Sequence, residues 1–176
     1  MTGPLLRTER LELWLPRKED LAGLHALTAE PEMRRFLGPD PPSEMDSAHR
    51  LLRGAGSWLL HGYGPFQMRL PGDDRIVGCC GVFHSWRGFG KGMDDVPEAG
   101  WSVHHEFWKQ GLAREAMEAV LPWFDAAHGL RRLACMIERG HASSERLAAA
   151  LGFTAYGSHR SDEEDAELVL YERLRG

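Results

Sequence analysis

Apolar residues recur along this chain in two rhythms, one of period two and one near 3.6. Leu11-Glu12-Leu13-Trp14-Leu15 alternates strictly and predicts a first strand, ended by Pro16. Leu21, Leu24 and Leu27 then share a helical face; Asp20 has N-cap chemistry and Pro31 sets the limit. Residues 33–38 read as a turn or short helical piece, and Pro39-Asp40-Pro41-Pro42 as a loop. Ser43 with Asp46 has the pattern of a capping box. It opens a helix whose apolar positions are Ala48, Leu51, Leu52, Ala55 and Leu59, weakened by Gly54 and Gly56.

Residues 66–70 predict a strand, Pro71-Gly72-Asp73-Asp74 a hairpin turn, and residues 76–84 a strand apolar enough to be central. Gly78 and Gly81 allow close packing or a bulge there. Residues 86–97 read as a long loop, and residues 98–103 as another strand. The next helix buries Ala113, Ala116, Met117, Val120, Leu121 and Phe124; Pro122 kinks it or marks its last turns, and Gly129 suits its C-terminus. Residues 133–137 form a strand, and Ser143 caps a helix carrying Leu147, Ala150 and Leu151. Residues 153–158 and 166–171 make a final hairpin around the acidic run Asp162-Glu163-Glu164-Asp165. The order β-α-α-β-β-β-α-β-α-β-β predicts an α/β (α+β) fold: about seven strands in one mixed sheet, with about four helices on its faces.

Composition narrows the function. The 176 residues suit a single domain, residues 1–176, without linker or repeat. Hydrophobic content is 43% and charged content 27%, as in ordinary globular proteins. The net charge of −5, with no basic block, argues against nucleic-acid binding, so an anionic ligand must be held by local donors. No apolar run is long enough for a membrane span, and no signal-peptide core is evident, so the cytoplasm is the expected compartment. Cys79, Cys80 and Cys135 make neither a disulfide framework nor a zinc spacing. Adjacent Cys79 and Cys80 point to opposite faces of a strand.

The sharpest chemical signal is the turn Trp108-Lys109-Gln110-Gly111-Leu112-Ala113, where a strand feeds a helix start. Backbone N–H groups at a helix start lack helical partners, and the helix dipole adds positive character. The turn is therefore an anion site suited to phosphate or pyrophosphate. Gly111 lets a ligand approach the backbone, Ala113 adds little bulk, and Lys109 and Arg114 supply charge.

Gln110-Gly111-Leu112-Ala113-Arg114-Glu115-Ala116 resembles the acyl-CoA-binding motif of the GNAT acyltransferase superfamily, and of its Rim-type branch, which acetylates ribosomal-protein N-termini. Thr8-Glu9-Arg10-Leu11-Glu12-Leu13, Ile76-Val77-Gly78, and His141-Ala142-Ser143 with Leu151-Gly152-Phe153 agree in order and spacing. The resemblance implies the GNAT fold, with a mostly antiparallel sheet. It also implies an N-acetyltransferase that moves an acetyl group from acetyl-CoA to an amine in a ternary complex. No metal is implied, the acceptor is a small-molecule or peptide N-terminal amine, and a homodimer is a further expectation from the family.

Within that resemblance, Trp108, Lys109, Gln110, Gly111, Leu112, Ala113 and Arg114 hold the pyrophosphate, and a backbone N–H near Val103 or His104 meets the thioester oxygen. An alkyl ammonium with a pKa near ~10 needs a base to become a nucleophile. Glu98 occupies the position of that base; its alternative is an acceptor-binding or surface carboxylate. Ser143 is either a proton donor to the leaving thiolate and a cofactor contact, or only a helix cap. His104 and His105 are weaker base candidates, and His84, His104 and His105 have no metal-ligand spacing. Trp58, Trp86, Trp101 and Tyr63 are candidates for acceptor-pocket walls. Two departures from the family pattern stand out. Leu147 replaces a frequent tyrosine acid, and Gly140 replaces an asparagine. They motivate a second reading, an acyl-CoA-binding sensor without turnover. Gly88-Phe89-Gly90-Lys91-Gly92 lacks P-loop spacing, which excludes a nucleoside triphosphatase.

Overall fold

The computed structural model describes residues 3–34, 40–160 and 166–175. The acidic run at 162–165 and the predicted piece at 35–38 lie outside the described residues. Among the described residues, one sheet of eight strands carries five α-helices. The strands are β1 (Leu6–Arg7), β2 (Glu12–Trp14), β3 (Pro65–Arg69), β4 (Gly78–Trp86), β5 (Asp94–Val103), β6 (Arg132–Glu138), β7 (Thr154–Arg160) and β8 (Glu167–Leu174). The helices are α1 (Leu21–Ala29), α2 (Pro31–Arg34), α3 (Glu44–His61), α4 (Leu112–His128) and α5 (Ala142–Ala150). The sheet order is β1-β2-β3-β4-β5-β6-β8-β7, antiparallel except for β5 beside β6. The extra strand, β1, is two residues long, too short for an alternation to show. The extra helix, α2, is a single turn.

The main core lies between the sheet and α4, where Ala116, Met117, Val120, Leu121 and Phe124 are buried with Val82, Val103, Leu133 and Cys135. The helix continues past exposed Pro122 to His128, and Gly129 ends it at φ 60°. A second cluster joins Leu24, Leu27 and Met33 to Ile76 and Cys79. Cys80 belongs to the main core, so the adjacent cysteines do face opposite ways. A third cluster seats Phe89, Met93 and Val96 against Ala134, Met136 and Leu170.

Three expectations are corrected. The predicted loop 86–97 is shorter than expected: β4 runs on through Trp86 and β5 begins at Asp94, leaving residues 87–93 as a turn stitched by the Asp94 carboxylate to the N–H groups of Gly88 and Gly90. Asp20 does not cap α1 with its side chain; the carboxylate is buried and bonded to Arg69 at 2.5 Å. The third correction concerns α3: Leu51 packs on the second cluster as expected, but Leu52 and Leu59 are 67% and 85% exposed, and the fully buried positions are Ser47, Gly54 and Ser57. Close approach explains those small residues. A Cβ on Gly54 would stand 2.8 Å from Pro65 Cγ, and Ser57 Oγ donates to Tyr63 O while accepting from His84 N–H.

Candidate active site

β5 and β6 are neighbours that pair at a single point, Glu98 opposite Ala134, and then part. The pairing of β5 with β4 decides which backbone groups face the opening. His104 N–H donates to Val77 O at 2.8 Å, on the outer side of the Val103–Gly78 pair. That makes Val103–Gly78 a non-hydrogen-bonded pair in the antiparallel ladder. Alternation then turns the N–H groups of Gly100 and Ser102 toward β4, and those of Trp101 and Val103 toward the opening. Of the two positions considered for the thioester oxygen, Val103 offers a donor and His104 does not. Trp108 Nε1 bonds Val103 O at 2.6 Å at the mouth of the opening, and Trp101 Nε1 reaches Ser144 Oγ on α5 at 3.3 Å.

The turn 108–114 follows at one end of this opening. Lys109 and Gly111 both adopt left-handed backbone, at φ 62° and 78°. A Cβ at Gly111 would meet nothing nearer than Arg10 Nη2 at 3.8 Å, so backbone conformation, not crowding, calls for glycine there. The first helical bond of α4 runs from Glu115 N–H to Gly111 O, which leaves the N–H groups of Leu112, Ala113 and Arg114 without helical acceptors. Arg114 is held by Glu118 at 2.7 Å, whereas exposed Lys109 has no partner among the described residues. The Gln110 side chain donates back to Glu106 O at 3.1 Å on the surface. Open backbone donors, a left-handed glycine and a free lysine fit a pyrophosphate group.

Glu98 is buried, and its carboxylate is gripped by Arg87 through two bonds of 2.8 and 2.5 Å. It lies at the point where β5 and β6 begin to part. The sequence reading did not include Arg87, which sits in the turn after β4 and gave no local signal. Ser143 occupies the first turn of α5, but the cap is His141, whose Nδ1 accepts from Ser144 N–H at 3.2 Å. The Ser143 hydroxyl lies 3.1 Å from the same nitrogen.

Other candidates fall elsewhere. His84 sits at the far end of β4, between the Tyr63 hydroxyl and Asp95, each at 3.0 Å, and stacks on His61. His104 and His105 lie just before the turn 108–114, and burial with nearby Arg75 pushes the His104 pKa down. No group of three or more His, Cys, Asp or Glu among the described residues is arranged to hold a metal ion. Trp58 and Tyr63 are core residues against Phe66 and Phe124, Trp86 is exposed, and only Trp101 borders the opening. Burial pushes the Cys79 thiol up to about 11, and raises those of Cys80 and Cys135 as well.

Residues 10–154 match the family model described as an acetyltransferase (GNAT) domain. A putative GnaT-family acetyltransferase from Bordetella pertussis is similar at 32% identity, with a TM-score of 0.85 over 96% of this chain and 98% of that one. The uncharacterized N-acetyltransferase p20 from Bacillus licheniformis is 24% identical over 90% of this chain and 87% of its own. The ribosomal-protein-S5-alanine acetyltransferase from Vibrio fischeri shares the fold, with 17% identity and a TM-score of 0.74 over 96% of this chain and 95% of that one.

Proposed function

Because the chain belongs to the GNAT acetyltransferase family, whose members are acyl-CoA-dependent N-acetyltransferases, we propose that it transfers an acetyl group from acetyl-CoA to an amine by direct attack in a ternary complex. The observation that carries this reading is the single-point pairing of β5 with β6, with Val103 and Trp101 N–H groups turned into the gap and a phosphate-type turn at its end. The pyrophosphate binds the turn 108–114, on the N–H groups of Leu112, Ala113 and Arg114 with Lys109 beside them. The acyl-pantetheine arm lies in the gap as an added strand edge, with its thioester oxygen on the Val103 N–H.

The amine nitrogen attacks the carbonyl carbon. Charge gathers on the oxygen, where a fixed donor stabilises it more than it stabilises the ground state. Glu98 receives the ammonium proton through water, held in place by Arg87. The C–S bond then breaks and CoA leaves as a thiolate, with Ser143 the candidate that the family resemblance offers to protonate it. A thiol of pKa near ~8.5 is acidic enough to leave without a dedicated acid, so Leu147 in place of a tyrosine does not prevent turnover. The acceptor is a small-molecule or peptide N-terminal amine.

One observation favours the non-catalytic reading: the Glu98 carboxylate is already committed to a buried ion pair. Calorimetric titration with acetyl-CoA, on wild type and on Gly111→Asp, tests the site. Micromolar binding that the substitution abolishes, followed by thiol release in the presence of an amine panel, supports the enzyme. Binding with no thiol release from any amine supports a sensor. No binding by folded wild type removes both.

A further inference from the structure

Solvent reaches the Glu98–Arg87 pair through the arginine. The Glu98 side chain is 4% exposed and that of Arg87 32%. Side chains alternate along β5, and Ala99 and Val103 belong to the core under α4. Glu98 therefore lies on the opposite face of the sheet, where Phe83 stands across from it on β4.

Arg87 has donors to spare. A guanidinium carries five N–H bonds. Glu98 takes one from Nε and one from Nη2, at 2.8 and 2.5 Å. Nη1 has no partner among the described residues. One N–H of Nη1 and the second N–H of Nη2 form a fork of parallel donors, the arrangement that holds a carboxylate by two bonds. The acids nearby are already engaged. Asp94 accepts from the N–H groups of Gly88 and Gly90, Asp95 bonds His84, and Glu98 accepts from Arg87 itself. Lys91, on the same turn, donates to Ser158 O and makes no ion pair with a described acid. The surplus at this place is of donors, which suits an anionic group.

We propose that the acceptor is a free amino acid, whose carboxylate docks on the open fork of Arg87 while its amine stands at Glu98. This rests on acetyl transfer with Glu98 as the base. Nη1 and the two nitrogens that grip Glu98 share one carbon, so the anion seat and the base lie side by side. That closeness fits an amine and a carboxylate on the same or neighbouring carbons. A longer peptide carries its terminal carboxylate farther off, and a polyamine has none and meets a like charge. The guanidinium also favours the neutral form of the bound amine, the form that attacks. The nitrogen then bonds to the carbonyl carbon and the C–S bond breaks. The ammonium proton passes through water to Glu98, CoA leaves as a thiolate, and the product is an N-acetyl amino acid.

Thiol release from acetyl-CoA by the full chain tests this on matched triples: a free amino acid, its amide, and the amine without the carboxyl group. The triples span the common side chains, and a polyamine and an aminoglycoside complete the panel. The free acid is expected to exceed its amide by about tenfold to a hundredfold in kcat/KM, as for bonds to a charged group. In Arg87→Met that ratio should fall to near one. Arg87→Lys, with the charge but no fork, should keep part of it. An arginine that only supports the fold would lower acid and amide alike and leave their ratio as in wild type. The wild-type comparison decides even if the variants fold poorly. Amides or plain amines used as well as the acids, a preferred polyamine or aminoglycoside, or a ratio that survives Arg87→Met would each overturn the proposal and leave acetyl transfer standing. Acetyl-CoA binding without thiol release from any amine would overturn both.

Discussion

Arg10 and Glu115 stand 105 positions apart in the chain, and their side chains meet at 2.6 Å. The Arg10 N–H and the Thr8 hydroxyl bond the same carboxylate, and the Arg10 guanidinium also reaches Gln110 O. The segment before β2 therefore clamps the first turn of α4, the turn on which we propose the pyrophosphate binds.

Breaking that clamp should loosen the turn. Glu115→Ala is expected to cost about 1–3 kcal/mol, the range for charge-assisted bonds lost at a partly buried carboxylate. It should also weaken acetyl-CoA binding several-fold, as read by denaturant melts and calorimetry. Burial alone would raise the Glu115 pKa, but the bonds from Thr8 and Arg10 hold it below its ordinary 4.5. A group depressed on folding contributes stability above its unfolded pKa and loses it as pH falls through the folded one. Wild-type stability should therefore drop below about pH 4.5, and Glu115→Gln should flatten that limb.

Glu98 and Arg87 make a second testable pair. Glu98→Gln is expected to lower kcat by about 10²–10⁴ while acetyl-CoA affinity is kept, because a general base acts on the acceptor and not on the donor. Arg87→Met should act differently. It leaves the base in place but frees its carboxylate from two bonds, so kcat should fall less far than in Glu98→Gln. A kcat unmoved by Arg87→Met would assign the ion pair a purely structural task.

Gly78 is a packing requirement. A Cβ there would sit 2.5 Å from Ser102 O and 3.2 Å from Val103 Cα, both backbone atoms that cannot step aside. Gly78→Ala is expected to cost about 1–3 kcal/mol by forcing β4 and β5 apart. Because Ser102 and Val103 border the acyl gap, binding should weaken along with stability in the same titrations.

The three thiols should be silent in the folded protein. Cys79, Cys80 and Cys135 are buried, and all have raised pKa values, Cys79 at about 11. Thiol reagents are expected to label them only at the rate of unfolding. Mass spectrometry after incubation with acetyl-CoA should find no acetyl adduct on the chain, in keeping with direct transfer.

Legibility in the sequence followed the physical range of each signal. α4 was readable from end to end because its stripe, its glycine stop and its opening turn all act within a few residues. The turn that opens α4 was readable as a helix start for the same reason. α3 misled in part: Leu51 packs inward, but the close approach of Pro65 at Gly54 leaves Leu52 and Leu59 outside although their spacing matches a core face. The cap of α5 fell to His141, two residues before the expected Ser143, because a ring nitrogen can accept a helix-start N–H, here that of Ser144. Arg87 and the Thr8–Arg10–Glu115 clamp join distant positions, and nothing local announces them.

The parting of β5 from β6 has a mechanical consequence. With one pairing point and a helical crossover between them, the sheet behaves as two panels joined by a narrow weld. A pantetheine arm lying in the slit would act as mortar, lending amide groups to edges that otherwise face each other empty. The same slit that makes room for chemistry is then the fault line of the fold, and the molecule is most nearly whole when it is loaded.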